Sequence, residues 1–228
     1  MQFSENGFDI IRQAIPKDLA TFCYNYLRVR KQVCDSLMKT KYISPFNYDW
    51  GWYNDIQAPN TFSLYGDIAM ETLLIMLKDK MESTTNLKLV ENYAYARLYK
   101  NKDVLKRHKD RFSCEISTTL YLGGEKWPIY LSPYENVGIP EDQGGKKGVT
   151  FNSDVKGIKV DLEIGDMLLY RGNVLEHWRN EFEGEECAQV FLHYNDENTP
   201  GALENKFDKR PHIGLPDWFK GKEIKEIQ

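Results

Sequence analysis

The chain has 228 residues, 41% apolar and 28% charged, with a net charge of −4 and an isoelectric point near 5.7. That length can bury a sizeable core; the composition excludes a disordered chain, and the charge argues against a general nucleic-acid surface. No apolar run reaches about 18 residues, so no membrane-spanning helix is expected, and the opening MQFSENGFDIIRQ lacks the basic-then-apolar order of a signal peptide.

GFDIIRQAI (7–15) reads as a short opening strand. Pro16 then starts a helix, where its missing N–H costs little. Leu19, Phe22, Tyr26, Val33 and Leu37 recur near the helical period through residue 38 and form its expected buried stripe. Cys23 and Cys34 lie on this helix three turns apart, too far to bridge. With Cys114 and Cys187 they make no CxxC pair, so buried free thiols in a reducing cytoplasm are expected rather than a thiolate zinc site. Residues 40–65 carry two prolines and many aromatics and read as a long loop able to wall a pocket. Trp50, Trp52 and Tyr53 would exclude water there, or would simply pack. A second helix is expected from Asp67 to Glu82, burying Ile68, Leu73, Met76, Leu77 and Met81.

After STTN (83–86) the period becomes strand-like. ENYAYARLY puts Tyr93, Tyr95, Arg97 and Tyr99 on one face and Ala94, Ala96 and Leu98 on the other. SCEISTTLYL (113–122) and WPIYL (127–131) are further strands. Residues 132–155 are rich in Gly, Pro and Asn and suggest a surface excursion or a lid, its Gly-rich part at 138–148. GIKVDLEIGDMLLYRG gives two strands joined at EIGD, followed by LEHWRNEF and CAQVFLHYND. From Pro200 an extended tail over the surface is expected. Helices ahead of a run of short strands argue an α+β fold whose β part is a sandwich or jelly roll.

LKRHKD (105–110) carries a histidine and an aspartate two positions apart, hence on one face of a strand. Either they form a surface salt bridge or they are two-thirds of a metal site. His177, 67 positions after Asp110 and opening a strand after a glycine-containing reversal, is the candidate third ligand. His193, late in QVFLHY, competes but suits a core hydrogen bond; His212 belongs to the tail. Two imidazoles and one carboxylate, with other positions open, suit non-haem Fe(II). Lys106, Arg107, Lys109 and Arg111 around the histidine read as a solvated strand edge, with a groove for an anionic substrate as the alternative.

These segments resemble the 2-oxoglutarate- and Fe(II)-dependent dioxygenases, especially the prolyl-hydroxylase-like branch. YKNKDVLKRHKD looks like that branch's strand pair, with a tyrosine nine residues before HxD. TTLYLGG, GDMLLYRGNVLEHWR and GEECAQVFLHY look like the strands that follow, and GFDIIRQAIPKDLATFCYNYL like the opening strand and helix. The resemblance implies one oxygenase-like domain: an N-terminal strand and helices (1–90) packed on one sheet of a double-stranded β-helix, or jelly roll (91–195), then a tail (196–228). It implies His108, Asp110 and His177 as ligands of Fe(II), Tyr99 as a hydrogen-bond partner of 2-oxoglutarate, and O2 as the second co-substrate. The expected reaction is hydroxylation with decarboxylation of 2-oxoglutarate to succinate.

One departure stands out. The family usually has Arg or Lys some ten residues after the distal histidine, to pair with the far carboxylate of 2-oxoglutarate. Here that region reads EGEECAQ. A buried dicarboxylate needs a cation. Arg179 shares a strand face with His177 and is the first candidate; Arg97, on the face of Tyr99, is the second. A salt bridge from Arg179 to Glu176 or Glu181 is the alternative, and Gln189 could add a neutral hydrogen bond. The expected substrate is a protein or peptide side chain or a small metabolite, with a nucleobase third. A non-catalytic jelly-roll module, or a cupin-like metalloenzyme without 2-oxoglutarate, are the rival functions.

Overall fold

A computed structural model describes residues 3–132, 139–140 and 149–219. In chain order these form helix α1 (Phe3–Asn6), strand β1 (Phe8–Ile11), α2 (Lys17–Lys39), β2 (Phe62–Tyr65), α3 (Ile68–Thr85), β3 (Leu89–Lys100), β4 (Leu105–Lys109), β5 (Ile116–Gly124) and β6 (Ile129–Leu131). Then follow β7 (Ile139–Pro140), β8 (Val149–Asn152), β9 (Ile158–Val160), β10 (Met167–Arg171), β11 (His177–Arg179) and β12 (Glu186–Asp196). The strands make two antiparallel sheets ordered β1-β10-β5-β12-β3-β2 and β7-β8-β4-β11-β6-β9. This is the expected jelly roll. Most of the proposed lid lies outside the described residues, as does the tail beyond Phe219.

The period-2 alternation of the first sheet sorts its side chains into two cores. Ala94, Ala96 and Leu98 of β3, Ile116, Leu120 and Leu122 of β5, and Ala188, Val190 and Leu192 of β12 pack outward with α2 and α3. Tyr99, Tyr121, Tyr170, Cys187 and Phe191 turn inward against Leu105, Trp127 and Leu131. The helices thus cover the first sheet and leave the interior between the sheets for the site.

Both helices bury the expected faces only in part. On α2 the fully buried positions are Ala20, Cys23, Leu27 and Cys34, while Phe22 is 62% exposed. Small side chains on the sheet side let the helix lie close, and a Cβ on Gly123 of β5 would stand only 2.8 Å from Tyr24. On α3, Leu73, Leu77 and Met81 are buried as expected, joined by Met70 and Leu74, but Ile68 and Met76 face solvent. The Asp67 carboxylate accepts from the Ala69 and Met70 amides and caps α3 one residue before Ile68.

The aromatic segment after α2 does not line the interior. Arg30 lies over the Trp50 ring, Trp52 bridges to Ser63 of β2, and Tyr53 packs on Phe62 and bonds Asp35. These aromatics fasten the loop to α2 and β2, which is packing rather than a pocket wall. The basic cluster also differs from expectation. β4 lies between β8 and β11 and is not an edge. Arg107 is buried, donating to Glu176 at 2.5 Å beneath Trp178, and Arg111 pairs with Asp208.

Candidate metal centre

β4 and β11 run antiparallel in the second sheet, with His108 directly opposite His177. Their imidazole centroids are 4.1 Å apart. Asp110 lies just beyond the end of β4, its amide donating to the Gly172 carbonyl at 2.8 Å. One oxygen, Asp110 Oδ1, is 3.5 Å from both His108 Nε2 and His177 Nε2. Two donors about 2.1 Å from one ion at 90–110° stand about 3.0–3.4 Å apart, so the three groups fit one divalent cation with little adjustment. All three are largely shielded from solvent.

Each ring is oriented from behind. His108 Nδ1 faces the Lys106 carbonyl at 2.7 Å, and His177 Nδ1 faces the Leu175 carbonyl at 3.0 Å. A carbonyl only accepts, so each Nδ1 carries the proton and each Nε2 presents a lone pair toward Asp110. Burial, reinforced by His177 nearby, pushes His108 below the usual imidazole range and keeps it neutral, as a metal ligand must be. Burial alone would raise the Asp110 carboxyl. The neighbouring His177 outweighs it and holds that carboxyl well below the ordinary range.

The second oxygen of Asp110 has its own support. Ser117 Oγ lies 2.9 Å from Asp110 Oδ2 and 2.9 Å from His193 Nδ1. If Nδ1 donates to the hydroxyl, the hydroxyl proton is free to bond Asp110. His193 thus sits behind the centre rather than in it. Its ring packs on Tyr93 at 4.6 Å, and burial lowers it to about 4, so it stays neutral. Asp110, Cys114 and His193 also lie near one another, but the Ser117 hydroxyl bonds two of them and stands between them. A glycine is required close by: a Cβ on Gly172 would stand 2.4 Å from Asp110 Oδ2 and 2.5 Å from the Cys114 carbonyl.

Arg179, two residues beyond His177, is 1% exposed. It donates to the Trp127 carbonyl and to Thr119 Oγ1 at 3.1 Å, and its guanidinium lies 5.1 Å from the Trp127 ring centroid. Its Nε has no hydrogen-bond partner among the described residues. The salt bridge considered for it is absent: Glu176 is taken by Arg107, and Glu181 is exposed. Burial pushes the Arg179 guanidinium below its usual range, as expected for a cation shielded without a carboxylate. Arg97 differs. Asp55 at 2.5 Å neutralises it, Gln57 accepts from it at 3.0 Å, and it donates to the Tyr99 hydroxyl at 3.1 Å. Tyr99 is fully buried, edge-on to Trp127. Gln189 accepts from Thr119 at 3.0 Å and so joins the Arg179 cluster. His212 is exposed in the tail.

Ser117 and Thr119 were not singled out from the sequence. The available signal was their alternation with Thr118 and Leu120 in a strand buried on both faces, which leaves polar side chains facing the interior.

No family model matches this chain, and no curated protein matches it. Solved structures do share its fold. A Pseudomonas putida prolyl-4-hydroxylase superposes with a TM-score of 0.54 at 15% identity, covering 86% of this chain and 96% of that one. The non-heme alpha ketoglutarate dependent epimerase SnoN from nogalamycin biosynthesis gives 0.57 at 12% identity, covering 98% and 91%. HygX from Streptomyces hygroscopicus, with nickel and 2-oxoglutarate bound, gives 0.53 at 13% identity, covering 86% and 85%. The chain therefore shares the jelly-roll fold of these structures.

Proposed function

We propose that this chain is a 2-oxoglutarate- and Fe(II)-dependent dioxygenase, with His108, Asp110 and His177 as the metal ligands. The observation that carries this reading is the convergence of two backbone-oriented imidazoles on one carboxylate oxygen, 3.5 Å from each, with all three ligand atoms within 4.8 Å of one another. Two neutral nitrogens and one anion leave a divalent ion a residual positive charge and open positions, the donor set of non-haem iron oxygenases. When bound, Fe(II) and 2-oxoglutarate supply the activation of O2, with decarboxylation of the co-substrate to succinate.

The residues of this chain bind, orient and shield. The carbonyls of Lys106 and Leu175 keep the imidazoles in the ligating tautomer. Arg179 is the anchor for the far carboxylate of 2-oxoglutarate. It stands two strand positions from His177, about 6.6 Å along the chain, close to the roughly 5 Å between the ends of a five-carbon diacid. Its planar fork suits a carboxylate, and its Nε, like that of Arg97, has no partner among the described residues. Tyr99, Thr119 and Gln189 flank it. Arg97 is the weaker candidate because Asp55 already neutralises it.

A peptide side chain or small metabolite is the proposed substrate, and hydroxylation the proposed outcome. Fold neighbours include a prolyl hydroxylase in complex with a hypoxia inducible factor peptide fragment from Trichoplax adhaerens, and HygX with hygromycin B bound. Four buried free thiols suit a reducing compartment such as the cytoplasm. Anaerobic addition of 2-oxoglutarate to the Fe(II)-loaded protein should produce a weak visible charge-transfer band. His177→Ala should abolish it, and air should then yield succinate only in the wild type. A band of full intensity in His177→Ala would refute the ligand assignment.

A further inference from the structure

The described part of the C-terminal tail makes a turn its residue types disfavour. Phe207, Asp208 and Lys209 run consecutively at φ 55°, 56° and 65°. In this left-handed region glycine sits freely, and aspartate or asparagine occasionally. A phenylalanine and a lysine persist there only when the surroundings over-determine the backbone, and such outliers cluster at functional sites.

What holds this turn is the Asp208 side chain. Its carboxylate is buried and accepts from both terminal nitrogens of Arg111 (2.8 and 3.1 Å), from Ser113 Oγ (2.8 Å) and from the Tyr65 hydroxyl (2.7 Å). Burial opposes its ionisation. The Arg111 fork overcomes that and holds the carboxyl below its usual range. Arg210 then ties the tail to α3 through a fully buried pair with Glu71 at 2.6 Å.

The grip falls beside the metal centre. Arg111 follows Asp110 directly, and Phe112–Cys114 is the short 3₁₀ turn that leads from it into β5. Asn195 donates to the Phe112 carbonyl at 2.9 Å, and Asn92 to the Ser113 carbonyl at 2.8 Å. Asn205 of the tail reaches Ser113 Oγ at 3.1 Å and Asn195 Oδ1 at 2.9 Å. On the other side of the turn, Ser117 faces both the Cys114 carbonyl and Asp110 Oδ2. Asp110 therefore hangs between two fixed points: its own amide on Gly172, and the clamped turn that begins at the next residue.

We propose that Asp208 is a positioning residue for the metal centre: by clamping Arg111 and Ser113 it sets where the Asp110 carboxylate stands relative to the two imidazoles. The tail is then part of the site's support rather than surface covering. A covering strap needs no charged fork on the residue next to a ligand, and no left-handed backbone to deliver it. The inference rests on His108, Asp110 and His177 being ligands. Partners hydrogen-bonded to metal ligands typically change metal affinity by about 10- to 100-fold when removed, and Asp208, acting through Arg111 and Ser113 rather than on Asp110 itself, is expected at the low end of that range.

The test is an anaerobic Co(II) titration of the full-length protein, followed by the d–d absorption of the bound ion. Asp208→Ala should weaken Co(II) binding at least tenfold and shift the band, with Asp208→Asn intermediate. Phe207→Gly, which relieves the backbone while leaving the clamp, should bind within twofold of wild type. Leu74→Ala, a destabilising variant at a buried position of α3, should also bind within twofold, separating positioning from general instability. Binding within twofold in both Asp208 variants overturns the inference; so does a Leu74→Ala loss as large as theirs, or failure of both Asp208 variants to fold. A wild type that takes up no Co(II), or a His177→Ala variant that binds it normally, instead refutes the ligand reading beneath, and this inference falls with it.

Discussion

Arg179→Met separates binding from stability, because its two consequences run in opposite directions. In the unliganded protein Arg179 makes two hydrogen bonds, to Trp127 and Thr119, and pairs with no carboxylate among the described residues. Net hydrogen bonds contribute about 1 kcal/mol each. Shielding the cation costs several kcal/mol, so methionine of similar volume should leave the unliganded protein as stable or more so. A change of about 1 kcal/mol moves the midpoint of a chain this size by roughly 2–4 °C. Co-substrate binding should suffer instead. Charge-assisted hydrogen bonds to the far carboxylate contribute about 1.5–3 kcal/mol, which at tenfold per 1.4 kcal/mol weakens 2-oxoglutarate roughly 10- to 140-fold. The assay is thermal unfolding of the metal-loaded protein with and without 2-oxoglutarate. At a concentration 100 times the wild-type Kd, wild type gains about 2.7 kcal/mol. A variant weakened a hundredfold gains about 0.4 kcal/mol under the same conditions. A variant Kd within threefold of wild type would refute the anchor, and Arg97 would become the residue to mutate.

Gly172→Ala should cost about 1–3 kcal/mol of stability and lower metal affinity, because the new methyl would stand 2.4 Å from Asp110 Oδ2; unchanged Co(II) binding would argue against that contact. Glu71→Ala should cost about 3–5 kcal/mol by leaving the fully buried Arg210 unpaired, measured as a lower urea midpoint at unchanged slope. Acid should destabilise the protein between about pH 6.5 and 4, since His193 is neutral when folded, with its pKa lowered to about 4, but binds a proton when unfolded. Its contribution is complete above 6.5 and is lost as pH falls, on the order of 3 kcal/mol, with the neutral His108 adding in the same sense. His193→Gln should flatten that limb of the stability profile, and an unchanged limb would exclude His193 as its source.

Local chemistry made much of the architecture legible. Tyr and Arg alternating with Ala and Leu along β3 declared both faces of that strand, and the Ala and Leu set packs under the helices. Asp67 and Asn86 bracket α3 with an N-cap and a left-handed C-cap. The helix faces are less legible because large apolar side chains at helical spacing read as the buried ones. Phe22, Ile68 and Met76 instead face solvent, while Ala20, Cys23 and Cys34 are buried. Close approach of a helix to a sheet selects small residues, and hydrophobic size alone does not report that.

The site divides along the same line. His108 and Asp110 were readable because their spacing is local, and His177 because a glycine reversal precedes it. What supports them was not, since its partners come from distant segments: Ser117 with His193 across 76 residues, and Arg111 with Asp208 across 97. Nor does the sequence distinguish a paired arginine from an unpaired one. Arg97 and Arg179 both sit on strands and face the interior, yet Asp55 comes back over Arg97 while no carboxylate among the described residues reaches Arg179. A buried cation left without an anion is costly unless something brings one. Under the proposed function, a dicarboxylate bound beside the His–Asp–His cluster would bring that anion to Arg179, which pairs with no carboxylate among the described residues.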